Sequence, residues 1–359
     1  MSLIKSLGKN PSGKRLERIK QSPNYKNNAF QNLSPTAQLA EDSTFLKLSK
    51  QSLSKSKTAE PNRELPFIRT DLIRLQADEP VIVWFGHSSY LIKLNGKTIL
   101  VDPVFSGNAA PVSFMLKAFK GSNEYSVEDM PEIDLLLLTH DHYDHLDYKT
   151  LTKLRSKIKQ VIAPLGVGSH LEHWGFEETI ITELDWWESH SFTSEINITS
   201  APARHYTGRG IIRSKMLWSS YILKTNTHNL YLGGDSGYDT HFKTIGEKFG
   251  PFDIALLESG QYNTAWPFIH MMPEQTVQAS IDLQARILFP IHWGKFALAF
   301  HDWDEPITRV LKKAEELNVN ITTPMIGEPL QLGKFFETKS WWKFDKKVAP
   351  VGIEPTSNV

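Results

Sequence analysis

The stretch DLLLLTHDHYDHLD, Asp134 to Asp147, limits the folds open to this chain more than any other. Its leucine run is short and wholly apolar, as a buried strand is. The run stops abruptly, and histidine and aspartate crowd the next positions. A segment that only had to connect would use Gly, Pro, Asn or Ser. Extended backbone turns alternate side chains to one face, so His140 and His142 can grip one cation together. Asp144 and His145 follow where the chain turns into the next helix. That turn can aim them at a second cation about 3.5–4 Å away, the usual spacing of a two-metal site. Imidazole and carboxylate without thiolate suit Zn²⁺ and also admit Mn²⁺ or Fe.

Two cations need more ligands than one loop holds, and later apolar runs offer them. His205 closes ITSAPARH, and His292 closes ILFPIH. Asp235 closes LYLGGD, where paired glycines allow close backbone approach. In each case a buried strand delivers one ligand at its C-terminal edge. The loop is thus the largest part of a ligand set that later strands complete.

The rest of the chain supports a large layered body. There are 359 residues, 40% of them hydrophobic, enough for one big core. VIVWFGHSSYLIKLNGKTILVDPV reads as consecutive strands, with Asn95-Gly96 as a type I′ hairpin. Further strands are expected in QVIAP, ETIITEL, INITSAPA, SSYILKT, NLYLGGD, DIALLES and RILFPIH. Helices are expected in YKTLTKLRSKIK, from Asp239 to Lys248, in PEQTVQASIDLQA with Pro273 in its first turn, and in PITRVLKKAEEL. Strand runs with interspersed helices imply two sheets flanked by helices. Residues 1–62 read as a basic polar N-terminal extension, 63–340 as the catalytic domain and 341–359 as a disordered tail.

A net charge of +0 and the lack of a basic stripe argue against a nucleic-acid partner. With no cysteine, disulfides, thiolate ligands and a cysteine nucleophile are excluded. No stretch approaches the ~20 apolar residues of a spanning helix, and no signal peptide is evident. The expectation is a cytoplasmic protein. The basic extension leaves room for peripheral contact with a membrane, the greasy PVSFMLKAFKG segment reads as buried packing or as a lip that admits acyl chains, and a homodimer is compatible with everything above.

THDHYDHLD resembles the metal-binding signature of the metallo-β-lactamase fold. From about Val81 to about Trp303, WFGHSSYLI, VDPVF, ELDWWES, LWSSY, GGDSGYD, IGEKFGPFDIA and PIHWGKFALA are similar, in order, to N-acyl-phosphatidylethanolamine phospholipase D and its bacterial relatives. The resemblance implies an α/β fold, an αββα sandwich of two mixed sheets flanked by helices. It implies that His140, His142 and His205 hold one divalent metal ion, that Asp144, His145 and His292 hold the other, and that Asp235 bridges them. His270 matches a family histidine linked to activity, and Arg209 a basic residue beside the pocket; both would touch substrate. Ile269 and Glu258 depart from the resemblance.

The implied reaction is hydrolysis of N-acyl-phosphatidylethanolamine to phosphatidate and an N-acylethanolamine, by metal-bound hydroxide attacking phosphorus. The same attack on carbonyl carbon would make a lactonase or amidohydrolase of a small substrate. A non-catalytic metal-bound scaffold is the third reading. Asp147 is either a group orienting a bound histidine or the cap of the following helix. His87 and Asp102 are open between supporting the site and packing. Trp186 and Trp187 read as core. His170, His173, His190, His228, His241 and His301 read as surface or packing residues.

Overall fold

The computed structural model describes residues 3–41, 43, 48, 50, 55–76, 78–112, 114–210, 212–334, 336 and 338–343. The N-terminal extension carries α1 (Leu3–Ser6), α2 (Gly13–Gln21) and a small hairpin of β1 (Tyr25–Lys26) and β2 (Ala29–Phe30). The first large sheet is built from β3 (Val81–Trp84), β4 (Tyr90–Leu94), β5 (Lys97–Val101), β6 (Leu135–Leu137), β7 (Val161–Pro164) and β8 (Ile181–Leu184). The second is built from β9 (Ser189–Ser191), β10 (Asn197–Ala201), β11 (Ser220–Lys224), β12 (Asn229–Leu232), β13 (Ile254–Glu258) and β14 (Leu288–Ile291). A late strand, β15 (Pro329–Gln331), returns antiparallel to β3 at the edge of the first sheet. Helices α3 (Tyr148–Leu154), α4 (Gly168–His173), α5 (His241–Phe249), α6 (Pro273–Asp282) and α7 (Glu305–Glu316) complete the layers.

The strand pattern explains the layering. In β4 and β5 the register runs from Tyr90↔Val101 to Leu94↔Lys97, closed by Asn95 and Gly96 at φ 48° and 69°. Those left-handed angles are what a type I′ turn needs. Alternation then divides the side chains. Ile82, Trp84, Ile92, Ile99, Leu135 and Leu137 meet Ile198, Leu223, Leu232, Leu256 and Phe289 between the sheets. Val83, Leu91, Leu100 and Leu136 face outward, where Leu151 and Leu154 of α3 cover them. On the other side, Ile222, Ala255 and Leu257 lie under Phe242, Val277 and Val310 of α5, α6 and α7. The result is the expected αββα sandwich.

β5 to β8 run parallel, as do β12 to β14. Parallel strands end on one side, so the residues after β5, β6, β12, β13 and β14 gather there. Open α/β sheets present their ligand-binding crevices at this edge.

Packing moves two sequence-based boundaries. The extension is not separate from the body: Ile19 and Phe30 are buried with Leu165, Trp186, Leu217 and Trp218. Arg15 also pairs with Glu172 and Glu183 at 2.6 Å each. At the other end, Trp341 and Trp342 are 8% and 1% exposed, in an aromatic cluster with Trp84 and Trp293. The body therefore reaches Trp342, and residues 344–359 of the expected tail lie outside the described residues. Among the described residues no helix is long and apolar enough to cross a membrane.

Candidate metal centre

β6 feeds directly into the histidine loop. The amides of His145 and Leu146 both donate to the His142 carbonyl, at 3.1 and 2.8 Å, which curls the loop and turns Asp144 and His145 back toward His140. Asp147 then caps α3, its carboxylate accepting from the Lys149 amide at 3.1 Å. It also accepts from the Ser106 amide and the Thr150 hydroxyl. These bonds settle its role as a cap that ties down the loop.

Seven residues from four strand ends meet beside this loop. His142 Nδ1 lies 3.0 Å from His140 Nε2 and 3.2 Å from His205 Nε2. Asp235 Oδ2 is 3.8 Å from both His140 Nε2 and His205 Nε2. Ligand atoms about 2.0–2.1 Å from one tetrahedral Zn²⁺ lie roughly 3.3 Å apart, so this spacing suits a cation. The other oxygen, Asp235 Oδ1, faces a second group, 3.2 Å from His145 Nε2 and 3.1 Å from His292 Nδ1. Asp144 Oδ2 joins that group, 3.5 Å from His145 Nε2 and 2.8 Å from His87 Nε2. The potential ligand atoms of His140, His142, His205 and Asp235 lie within 4.8 Å of one another, as do those of His87, Asp144, His145 and His292, and those of Asp235, His270 and His292.

The polar atoms of this cluster test whether a cation fits. His145 Nε2, Asp235 Oδ1 and His292 Nε2 are buried and have no hydrogen-bond partner. Buried polar atoms in native proteins are nearly always paired, and a divalent cation would pair these. Supporting bonds aim the rings. His205 Nδ1 must carry its hydrogen to donate to the Ile269 carbonyl at 2.8 Å, which leaves Nε2 as the inward lone pair. His145 Nδ1 sits 2.8 Å from Asp102 Oδ2 and does the same. Asp102 also accepts from the Thr139 amide at 2.9 Å, joining the ends of β5 and β6.

Charge follows the same logic. Burial pushes His140, His205 and His292 well below the ordinary imidazole value, which favours the neutral form that can ligate. Burial also opposes ionising Asp144 and Asp235. His145 beside both, with His292 and His140 beside Asp235, outweighs it and holds both carboxyls well below the carboxylate range. Burial works against charge on His145 too, but Asp235 and Asp144 overcome it and raise that ring well above 6.5. A divalent cation would satisfy the same two carboxylates in place of that proton. The backbone is bent to reach this arrangement: His87, Asp102 and His292 sit at φ 54°, 39° and 68°. Non-glycine residues take such angles where the surroundings enforce them, which is common at functional sites.

A cavity of about 320 Å³ opens on the cluster. His142, Asp144, His205, Asp235 and His292 form its floor, while Tyr206, Arg213, Gln261, Trp266, His270 and Leu298 form its walls. Gln38 and Leu39 of the extension complete the rim. His270 is where the sequence placed it, its ring centred 5.0 Å from that of His205. Its Nδ1 lies 3.5 Å from Glu258 Oε2. Burial opposes charging His270, but Glu258, with Asp235 and Asp144 further off, outweighs it and raises its pKa.

Several expectations change. Arg209 does not reach the pocket: it is 5% exposed and its guanidinium is consumed by the carbonyls of Ser6, Asp141 and Leu146. Its hydrogen bonds hold the loop from beneath, and it does not line the cavity that opens on the cluster. Arg213, four residues later and not singled out by sequence, lines the cavity instead. His170, read as surface or packing, is buried with Nε2 3.3 Å from Asp141 Oδ2. His87 is fully buried against Asp144, and Trp186 is core. In the greasy segment Phe119 is buried, but Phe114, Met115 and Leu116 are 72%, 46% and 41% exposed. Glu258 ends β13 at the ligand-bearing edge, a signal that the strand-end pattern already contained. Lys295 was missed as well. It is wholly buried, and its ammonium donates to the carbonyls of Phe85 and Val104 at 3.2 and 2.8 Å, clasping the turns beside His87 and Asp102.

A family profile described as Beta-lactamase superfamily domain matches residues 97–293, more than half of the chain. The chain belongs to this superfamily. A Mycobacterium tuberculosis relative, named only as an uncharacterized protein, is 37% identical over 90% of this chain and 88% of its own length. The N-acyl-phosphatidylethanolamine-hydrolyzing phospholipase D 1 of Caenorhabditis elegans is 34% identical over 60% of this chain and 64% of its own length. Among solved structures, Igni18, a metallo hydrolase from Ignicoccus hospitalis, superposes with a TM-score of 0.55 at 21% identity, covering 72% of this chain and 99% of that one. At that identity the likeness concerns the fold. Superfamily membership and the buried histidine–aspartate cluster together make this chain a metal-dependent hydrolase of the metallo-β-lactamase superfamily, with a site suited to a divalent metal.

Proposed function

We propose that the chain is a dinuclear metal-dependent phosphodiesterase of the phospholipase D type, hydrolysing N-acyl-phosphatidylethanolamine to phosphatidate and an N-acylethanolamine. One observation carries the two-metal part of the reading: Asp235 turns one carboxylate oxygen to each of two adjoining ligand groups. His140, His142 and His205 would hold one ion, Asp144, His145 and His292 the other, with Asp235 shared. Zinc suits this nitrogen and oxygen set, and manganese or iron would also be accepted. When bound, the ions supply Lewis-acid polarisation and acidify water to a pKa of about 7.

The chain's own residues do the rest. Arg213 is the cation at the mouth, where a guanidinium can pair with a phosphate oxygen. His270, its charged form favoured by Glu258 beside it, would pass a proton to the departing alkoxide. Glu258 is buried beside that ring and would stabilise its charged form, while the proton passed to the alkoxide would be regained from the water that enters for the next turnover. The exposed Phe114, Met115 and Leu116 would let the protein rest on a membrane surface and take a lipid headgroup from it. The relatives named for this phospholipase activity support the choice of substrate.

A second reading has an observation of its own. The 320 Å³ cavity is near the lower end for small-molecule sites, about 300–1,000 Å³. A compact lactone or amide would fill it without a membrane. Lipid mass spectrometry on extracts incubated with metal-loaded protein separates the two: phosphatidate and N-acylethanolamine are expected. Opened lactone with no phosphatidate would replace the first reading by the second. Hydrolysis of bis(p-nitrophenyl) phosphate that stops with chelator is the quicker check on the metal chemistry.

A further inference from the structure

Residues 5–9 pack against the underside of the histidine loop. They finish bonds that the histidine loop leaves open. Arg209 donates from one side of its guanidinium to the carbonyls of Asp141 and Leu146, each at 2.8 Å, so it spans the loop from end to end. From its other side it donates twice to the Ser6 carbonyl, at 3.0 and 2.8 Å. The guanidinium lies 3.9 Å from the Tyr143 ring and 5.2 Å from that of Trp174. Trp174 in turn donates its indole hydrogen to the Lys5 carbonyl at 2.7 Å.

A second link runs alongside. The Lys9 amide donates to His170 Nδ1 at 2.9 Å. That bond requires Nδ1 to be bare, so the ring hydrogen is on Nε2, which points at Asp141 Oδ2 3.3 Å away. The other oxygen of Asp141 accepts from the Gly208 amide at 2.7 Å. Asp141 stands between His140 and His142, and Gly208 follows His205 by three residues. Gly8 makes the approach feasible. It has φ +74°, and a Cβ there would fall 1.9 Å from His170 Nδ1. Only glycine fits that angle and that gap.

We infer that residues 5–9 are a positioning strap for the metal-binding loop, acting through Arg209 and His170 to hold His140, His142 and His205 in ligating register. The inference rests on the metal reading of those histidines. It gives the N-terminal extension a task that neither its composition nor the superfamily match, which begins at residue 97, contains. Partners that orient ligands typically govern metal affinity by about 10–100-fold.

The test is Zn²⁺ affinity of the full chain, measured by competition with a chromophoric chelator. Gly8→Val drives the strap off His170 and should weaken Zn²⁺ by about 10–100-fold. Gly13→Val is the control: Gly13 also has a left-handed angle, φ +56°, but nothing lies within 4 Å of its missing Cβ. It should stay within threefold of the unaltered chain. Gly8→Val binding as tightly as the unaltered chain, or Gly13→Val losing as much, would overturn the strap. If Gly8→Val lacks a native circular dichroism spectrum, His170→Gln decides in the same assay, with unchanged affinity again overturning it. Failure of the unaltered chain to bind Zn²⁺ would instead sink the metal reading itself.

Discussion

Arg209 and Arg213 are four residues apart on one loop, yet they serve opposite sides of the metal-binding segment. Beneath it, Arg209 is buried and bonded to three backbone carbonyls. At the mouth, Arg213 is exposed, lying over the Tyr206 ring at 5.2 Å and bonded to Gln38. The underside is a saturated region in which donors and acceptors match. The mouth is an unsaturated one: Glu258 Oε2 and His270 Nδ1 nearby face each other at 3.5 Å, and neither makes a hydrogen bond. The difference teaches that a cation's task depends on which acceptors the fold leaves around it. A buried guanidinium meets carbonyls that cannot otherwise be satisfied, so it stabilises structure. An exposed one gains little from its neighbours and stays available to a ligand.

The contrast can be broken most forcefully at the floor of the cavity. His142→Ala should lose bound metal and fall to background turnover while the fold survives; metal analysis and circular dichroism check both halves. Full activity in metal-free protein would end the comparison. Next comes the mouth. His270→Ala should keep its metal but lose roughly 10²–10⁴-fold in kcat, the usual range for a general acid. An unchanged kcat would remove His270 from the chemistry.

The two arginines give the sharper test. Arg209→Ala orphans buried carbonyls and should cost roughly 2–4 kcal/mol in urea unfolding. Arg213→Ala should cost under about 0.5 kcal/mol yet raise KM for an anionic diester by about 10-fold, with a neutral ester unaffected. Equal behaviour of the pair in both assays would erase the distinction.

The most gradual effect concerns Lys295, which clasps the far side of the site. Burial lowers its pKa to about 7. Between that value and the ordinary lysine value near 10.4, the unfolded chain holds a proton that the folded chain does not. Stability should therefore rise with pH across this window, by at most about 1.4 kcal/mol per unit. Unfolding at pH 7 and 9 should show this rise relative to Lys295→Met. Parallel curves would mean that Lys295 keeps its charge inside the fold.

Much of the fold was legible because strand alternation and apolar runs are local. Asn95-Gly96, the leucines before His140 and Pro273 at the start of α6 each announce their own element. The site was legible for a related reason: His140, His142 and Asp144 share one loop, and His205, Asp235 and His292 each follow an apolar strand. Glu258 obeys the same pattern and was read only as a departure from a relative. Arg213, His170 and Lys295 were not legible and His87 stayed open between two roles, since their partners stand tens or hundreds of residues away. The Gly8–His170 approach spans more than 160 positions, and no local pattern encodes it.

By itself, then, the order of residues determined which side chains could ligate, which segments would be strands and on which edge the strands would deliver their ends. Hydrophobic period and residue chemistry act over a few positions, so they survive in a one-dimensional record. Only the tertiary structure decided that Arg209 faces carbonyls and Arg213 faces the cavity, and that Ser6 and Lys9 meet Arg209 and His170 beneath the metal loop. Those outcomes depend on burial and on distant acceptors, which exist only once the two sheets have closed.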